Sequence, residues 1–145
     1  MMIGRHTLSA QSSNTLIIPE ELRKSFSGRF FITQGFEQNL ILFNAQLFEQ
    51  VSSKFMQMSI TDPTARLLSR MILGNAAELE IEQNGVLNIP EYLLATTKIQ
   101  GSAILIGQGL YCEIWAPEMW RMQELNLQDV EANSNRFNSC QLCIA

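Results

Sequence analysis

Few residues in this chain have the types and spacing that covalent or metal chemistry needs. His6 is the one histidine, so any hydrolytic Ser–His–Asp arrangement would have to be built on it. A partly exposed turn histidine is the plainer reading. Cys140 and Cys143 form one Cys-x-x-Cys with no second pair and no histidine nearby, whereas a structural zinc takes four ligands. Two thiols in a frayed tail explain that spacing more simply. Glu80 and Glu82 lie two apart on an expected strand, where alternate side chains share a face. That suits paired acid–base carboxylates, and it suits a solvated face equally well. Gly-rich phosphate loops, G-x-S-x-G and H-E-x-x-H do not occur. The expectation is a protein that is not an enzyme and holds no metal or cofactor.

The remaining candidate chemistry is polar and non-covalent, so charge decides its worth. The net charge of −4 is a poor start for a nucleic-acid binder, because affinity rests largely on neutralised phosphates. The charge is uneven, however. Residues 1–30 hold Arg5, Arg23, Lys24 and Arg29 against Glu20 and Glu21, while the rest of the chain is acidic. Any electrostatic footprint therefore lies near the N-terminus, and a solvated face is the simplest account of so small an excess. At 145 residues with 46% apolar composition, the chain can bury a core. No apolar run approaches the roughly 20 residues of a membrane-spanning helix. An odd, low cysteine count fits a reducing compartment. The expected location is cytoplasmic, without a signal peptide or membrane partner.

The elements that would position any site come from an internal repeat. Leu16-Ile17-Ile18-Pro19-Glu20-Glu21-Leu22 matches Leu87-Asn88-Ile89-Pro90-Glu91-Tyr92-Leu93, 71 residues on. Gly35 then matches Gly107, Phe43 pairs with Trp115 and Phe48 with Trp120, at an offset of 72. Each half reads as a turn, a short strand, Pro with a short helix, a strand, a Gly turn, a strand and a helix. Pro19 lacks an N–H and suits a first helical turn running through Leu22 and Phe26. Phe30–Thr33 and Asn39–Phe43 form a hairpin, as do Gly101–Ile106 and Tyr111–Trp115 around Gly107-Gln108-Gly109. Asn44 caps a helix with Leu47, Val51, Phe55 and Met58 on one face. Asp62-Pro63 starts a linking helix that stops near Gly74. Pro117 starts the last helix. The expected division is 1–60 as a first unit, 61–78 as a linking helix, 79–125 as a second unit and 126–145 as a tail, a helix end leading into disorder. Matched placement of Phe43, Phe48, Trp115 and Trp120 implies equivalent packing, with base stacking as the minor alternative.

The whole resembles the MraZ family of bacterial proteins. The resemblance runs over residues 2–125 and rests on several segments in order. These are Met2-Ile3-Gly4, Leu16-Ile17-Ile18-Pro19 with Leu22-Arg23, Leu73-Gly74-Asn75-Ala76-Ala77-Glu78 and Gly85-Val86-Leu87-Asn88-Ile89. Leu105-Ile106-Gly107, then Glu113-Ile114-Trp115 and Trp120, complete the set. The resemblance implies an α+β fold of two tandem, pseudo-symmetric AbrB-like swapped-hairpin units with connecting helices, assembled as a ring-forming homo-oligomer. It also implies a nucleoid-associated, DNA-binding transcriptional regulator of the division and cell wall gene cluster, acting on promoter repeats.

The family pattern in each half is Asp, three residues, then Arg, with Gly third in that stretch and, in the first half, Lys before the Gly. The Arg and Lys meet DNA, reading base edges and neutralising phosphate. Here the first half has Gln11, Ser13, Asn14 and Thr15 at the Asp, Lys, Gly and Arg positions. The second has Glu82, Gly85 and Val86 at the Asp, Gly and Arg positions. Both arginines and the lysine are absent. Asn14 tolerates positive φ, which would preserve the turn. The residues placed by resemblance at the DNA are Ser13, Asn14 and Thr15 in the first half and Gln83 and Asn84 in the second. Arg5, expected near the same surface, reads either as a partial replacement or as an ordinary solvated arginine. The expected function is a regulator with altered or weakened DNA recognition. The alternative is an oligomeric scaffold that kept the fold and lost direct DNA binding.

Overall fold

The computed structural model describes residues 1–141. Its strands are β1 (Met2–Ser12), β2 (Thr15–Ile17), β3 (Arg29–Gln34), β4 (Leu40–Asn44), β5 (Ala77–Glu80), β6 (Val86–Asn88), β7 (Ala103–Gly109) and β8 (Tyr111–Trp115). Its helices are α1 (Ala45–Met56), α2 (Pro63–Ser69), α3 (Glu91–Leu94), α4 (Pro117–Gln128) and α5 (Val130–Arg136). A 3-10 turn spans Glu20–Ser25, and a π turn over Arg70–Gly74 extends α2. The fold is α+β, as the sequence led us to expect.

All eight strands join in the antiparallel order β5-β3-β4-β8-β7-β1-β2-β6. Its edge strands, β5 and β6, are joined by residues 81–85 alone, so the sheet curls into a nearly closed barrel. The halves exchange strands. β1, from the first half, pairs with β7 of the second, Met2 opposite Gly109 through Leu8 opposite Ala103. β5, from the second half, pairs with β3 of the first, Arg29 opposite Glu80 through Ile32 opposite Ala77. β4 pairs with β8, and β2 with β6. Leu16 faces Leu87 directly, so the two residues matched by the repeat meet across the pseudo-dyad.

The local chemistry explains the elements. In β3, Phe30 and Ile32 point into the core while Phe31 between them points out, the period-2 pattern of a strand. Pro19 and Pro90 each accept an N–H three residues on, Leu22 N and Leu93 N, both at 3.0 Å. Asn44 caps α1 by accepting from Leu47 N at 2.8 Å, and Asp62 caps α2 through Thr64 N at 2.9 Å. Phe48 on α1 packs 5.8 Å from Phe43, and Trp120 on α4 packs 5.6 Å from Trp115. The matched aromatics thus do equivalent helix-on-sheet packing. Cys112 in β8 is wholly buried, and that burial, with Glu113 adding repulsion, pushes its thiol pKa far above the usual range.

Several expectations fail for identifiable reasons. His6 is not on a turn. It lies in β1 opposite Leu105, its ring Nε2 2.9 Å from the Ile3 carbonyl. Gly107 is not a turn residue either, but a strand residue that β1 crosses closely. A Cβ there would lie 2.5 Å from Ile3 N. The β7–β8 turn is made instead at Gly109 and Leu110, whereas the β3–β4 loop takes residues 35–39. Gly35 and Gly107 are therefore not equivalent. Glu80 ends β5, so Glu82 is on a turn and shares no strand face with it. Residues 130–140 are helical rather than a disordered tail. Asp129 accepts from Ala132 N at 3.1 Å, and Asn133 donates to the Asn126 carbonyl at 2.6 Å. Cys140 is exposed, and Cys143 lies outside the described residues.

Candidate nucleic-acid interface

The two turns that precede β2 and β6 sit at opposite ends of the ribbon these strands form. Each makes one backbone bond to the other half. Ile89 N donates to the Asn14 carbonyl at 2.9 Å, and Ile18 N donates to the Gly85 carbonyl at 2.8 Å. The ribbon holds both turns in place through its backbone, so their side chains are free to differ.

The first turn is Ser13-Asn14. A register shift in β1 between Ala10 and Ser12 absorbs the extra residue as a bulge. Asn14 does not take the left-handed conformation expected of it. Gln38 and Gln141 are the only non-glycine residues with positive φ among those described. The Asn14 side chain instead accepts from Ser12 Oγ at 3.2 Å. Ser13 is exposed. Thr15, at the family's first arginine position, is only 8% exposed, and its hydroxyl donates to Asn88 Oδ1 at 3.1 Å. That hydroxyl is already committed, which leaves it poorly placed for a base edge.

The second turn is Gln83-Asn84-Gly85. Gln83 and Asn84 are exposed, and Asn84 Oδ1 accepts from Val86 N at 3.2 Å. Gly85 has φ +81° and donates to the Glu82 carbonyl at 2.8 Å. A Cβ here would collide with Arg23 Nε and lie 2.6 Å from the Ile18 carbonyl. Val86, at the second arginine position, is 9% exposed.

The second turn has basic neighbours that sequence reasoning missed. Arg23 and Lys24 end the 3-10 turn and line a cleft with Ser27, Gly28, Glu82 and Gln83. Arg23 Nε donates to the Ile18 carbonyl at 2.9 Å, which anchors the guanidinium at the mouth of the turn. No carboxylate of the described residues lies within ion-pair distance of Arg23 or Lys24. The matching positions in the second half are Leu94 and Ala95, so the first turn has no such pair beside it. The available signal was the basic excess of residues 1–30. What the sequence hid was the contact itself, which spans about sixty residues of chain.

Arg5 is placed elsewhere. It lies on β1 eight residues before Ser13, about 26 Å along an extended strand. Its Nη1 donates to Glu124 Oε1 of α4 at 2.7 Å. Ser13, Asn14 and Thr15 are thus together, and Gln83 and Asn84 are together, while Arg5 joins neither turn.

Comparison with known proteins agrees with this frame. Residues 1–71 match a family model described as "MraZ protein, putative antitoxin-like". A transcriptional regulator MraZ of Thermomicrobium roseum is 32% identical over 123 residues, covering 85% of this chain and 87% of that protein. One of Mycoplasma mobile is 31% identical over 136 residues, covering 94% and 92%. One of Caldanaerobacter subterraneus is 25% identical over 142 residues, covering 95% and 99%. The name these relatives carry is that of a regulator and not of an enzyme.

Proposed function

Because the chain belongs to the MraZ family, we propose that it is a transcriptional regulator that binds promoter DNA of the division and cell wall gene cluster as a homo-oligomeric ring. The observation that carries this reading is the second turn, where Arg23 and Lys24 share a cleft with Glu82 and exposed Gln83 and neither base is within ion-pair distance of a carboxylate among the described residues. Arg23 and Lys24 neutralise phosphate, and Gln83 and Asn84 contact base edges or sugar. Ser13 and Asn14 offer uncharged hydrogen bonds at the other end of the ribbon. Recognition is altered relative to the family pattern, since a bidentate Arg–guanine contact typically carries about 1–3 kcal/mol of discrimination. A ring repeats each contact along neighbouring sites, which raises the effective concentration of weak contacts. The working location is the nucleoid in the cytoplasm.

One observation favours the alternative of an oligomeric scaffold without direct DNA binding. Thr15 and Val86 are both neutral and buried at the two signature positions. Fluorescence anisotropy of a labelled promoter duplex against a scrambled one, at about 50 and 200 mM salt, separates the two readings. The regulator reading expects salt-sensitive preference for the promoter. It also expects the Arg23→Ala/Lys24→Ala protein to lose affinity across all sequences, with a shallower salt slope by about one unit per lost contact. An intact oligomer with no measurable affinity at either salt would leave the scaffold.

A further inference from the structure

We infer that the cavity between the end of α1 and α2 is a binding site for a small phosphomonoester. Arg66 and Arg70 hold its phosphate, and Phe55, Met58 and Ile60 receive an apolar body. The site shares no residue with either of the two turns, so it stands independently of the DNA reading above.

Helix geometry puts the two arginines together. They lie four residues apart, so their side chains share one face of α2 and its extension. The Arg70 N–H donates to the Arg66 carbonyl, which fixes that spacing. Both arginines line one cavity of about 200 Å³, together with Ser69. Like charges at this spacing destabilise a helix, so the pair is unfavourable until an anion lies between them. No carboxylate of the described residues is within ion-pair distance of either guanidinium. Asp62, one turn before Arg66, has the spacing of a helical ion-pair partner. Its carboxylate instead accepts from Thr64 N at 2.9 Å and caps α2.

The backbone beneath these side chains is set in advance. Arg66 Nη1 donates to the Ile60 carbonyl at 2.9 Å, which steadies the guanidinium at the cavity. Its Nε and Nη2 donors remain for an oxyanion. Arg70 begins the π turn, and π turns inside helices occur frequently at functional sites. That turn is braced on the sheet, where Thr33 Oγ1 of β3 donates to the Ile72 carbonyl at 2.6 Å. Preorganisation of this kind lowers the entropy cost of closing on a ligand.

Charge, size and lining define the ligand. A phosphate group brings three strong acceptor oxygens and a charge of about −2, enough to bridge two guanidinium forks. A carboxylate brings one charge to two cations. The Ser69 hydroxyl is a further donor in the same wall. Phe55, Met58 and Ile60 make the rest of that wall apolar, so a bare inorganic ion meets only part of it. The volume lies below the roughly 300–1,000 Å³ of pockets for drug-sized ligands and cofactors. A nucleotide would overfill it, and a body of about one ring would fit.

Isothermal titration calorimetry of the full-length chain tests this with phenyl phosphate, inorganic phosphate and phenol as probes. Phenyl phosphate is expected to saturate one site per chain, about tenfold tighter than inorganic phosphate, with no heat from phenol. Arg70→Gln is the cleanest variant, because Arg70 is exposed and pairs with no carboxylate. It is expected to weaken phenyl phosphate by about tenfold or more, the size of one lost charge-assisted bond. Ser69→Glu sets a carboxylate beside the arginines. It is expected to abolish binding and raise the thermal midpoint, since it supplies the missing anion from within. Lys98→Gln, an exposed base outside the cavity, is expected to bind like the parent. Absence of saturable heat with phenyl phosphate would overturn the site, and so would parental affinity in Arg70→Gln. Equal affinity for the two phosphates would overturn the apolar body. A shallower salt slope for promoter DNA in Arg70→Gln would assign the arginines to the duplex. A changed mass in light scattering would assign them to another copy of the chain. Either of these last two results would also overturn the inference.

Discussion

The turn before β2 and the turn before β6 hold matched places in a duplicated fold and make the same backbone bond to the opposite half. One is closed by Asn14 with a bulge in the preceding strand, and the other by Gly85 in the left-handed region. One has Leu94 and Ala95 at the positions where the other has Arg23 and Lys24. The ribbon of β2 and β6 supplies the position of each turn from its own hydrogen bonds, so the fold places no demand on charge there. Charge at the turns is then set by whatever the surface must meet, and the two halves have answered that differently.

The largest expected break in this comparison is at Gly85. Gly85→Val forces a β-branched residue to positive φ and drives its Cβ into Arg23, so about 3 kcal/mol of stability should go. Asn14→Ala at the matched place has neither problem and should cost less than about 1 kcal/mol, for the side-chain bond to Ser12. Urea unfolding of both proteins measures the gap, and equal losses would mean that the turns are built alike after all.

A second contrast lies in the paired strands β4 and β8, where Leu40 and Cys112 hold matched buried positions. The Cys112 thiol is pushed far up when folded, so the folded protein keeps a proton that the unfolded chain releases. Its stabilising effect is complete below about pH 8.5 and falls by about 1.4 kcal/mol per pH unit above it. Cys112→Val should flatten that alkaline loss in denaturation series between pH 8 and 10. An unchanged slope would assign it elsewhere, with Tyr111, whose hydroxyl is also raised by burial, as the next group to replace.

The smallest effect sharpens the comparison at the first turn. Ser13 is exposed, so Ser13→Lys adds a charge without disturbing packing. Promoter affinity at low salt should rise by a few-fold and the salt slope steepen by about 0.9 for each new phosphate contact. No change would mean that only the second turn meets the phosphates.

The repeat was legible because both halves must solve one backbone problem, and Leu16 and Leu87 even face each other. Pro19, Asn44, Asp62 and Pro117 announced their elements because capping and φ restriction act within a few residues. β1 was not legible. Met2 and Leu8 are its only buried side chains, too sparse for a period of two, and its partner β7 is about a hundred residues away. α5 was hidden because its Asn- and Ser-rich composition looks like tail, and what fixes it is the Asn133 side chain turned back onto α4. The charged cleft at the second turn was missed for the reason that hid β1, a contact distant in sequence. Arg5, by contrast, drew notice for its charge, and the structure commits it to Glu124.

The strand exchange also orders events in time. Met2 to Leu8 pair with residues 103–109, so the first strand made by the ribosome waits for nearly the last. Until then, β7 and β8 do not exist, β1 has an unpaired edge along most of its length, and β4 lacks its partner β8. Such long-range pairing makes folding slow, and it leaves the nascent chain with apolar strands in need of shelter. Completion should therefore come in one late step after synthesis, with neither half maturing ahead of the other.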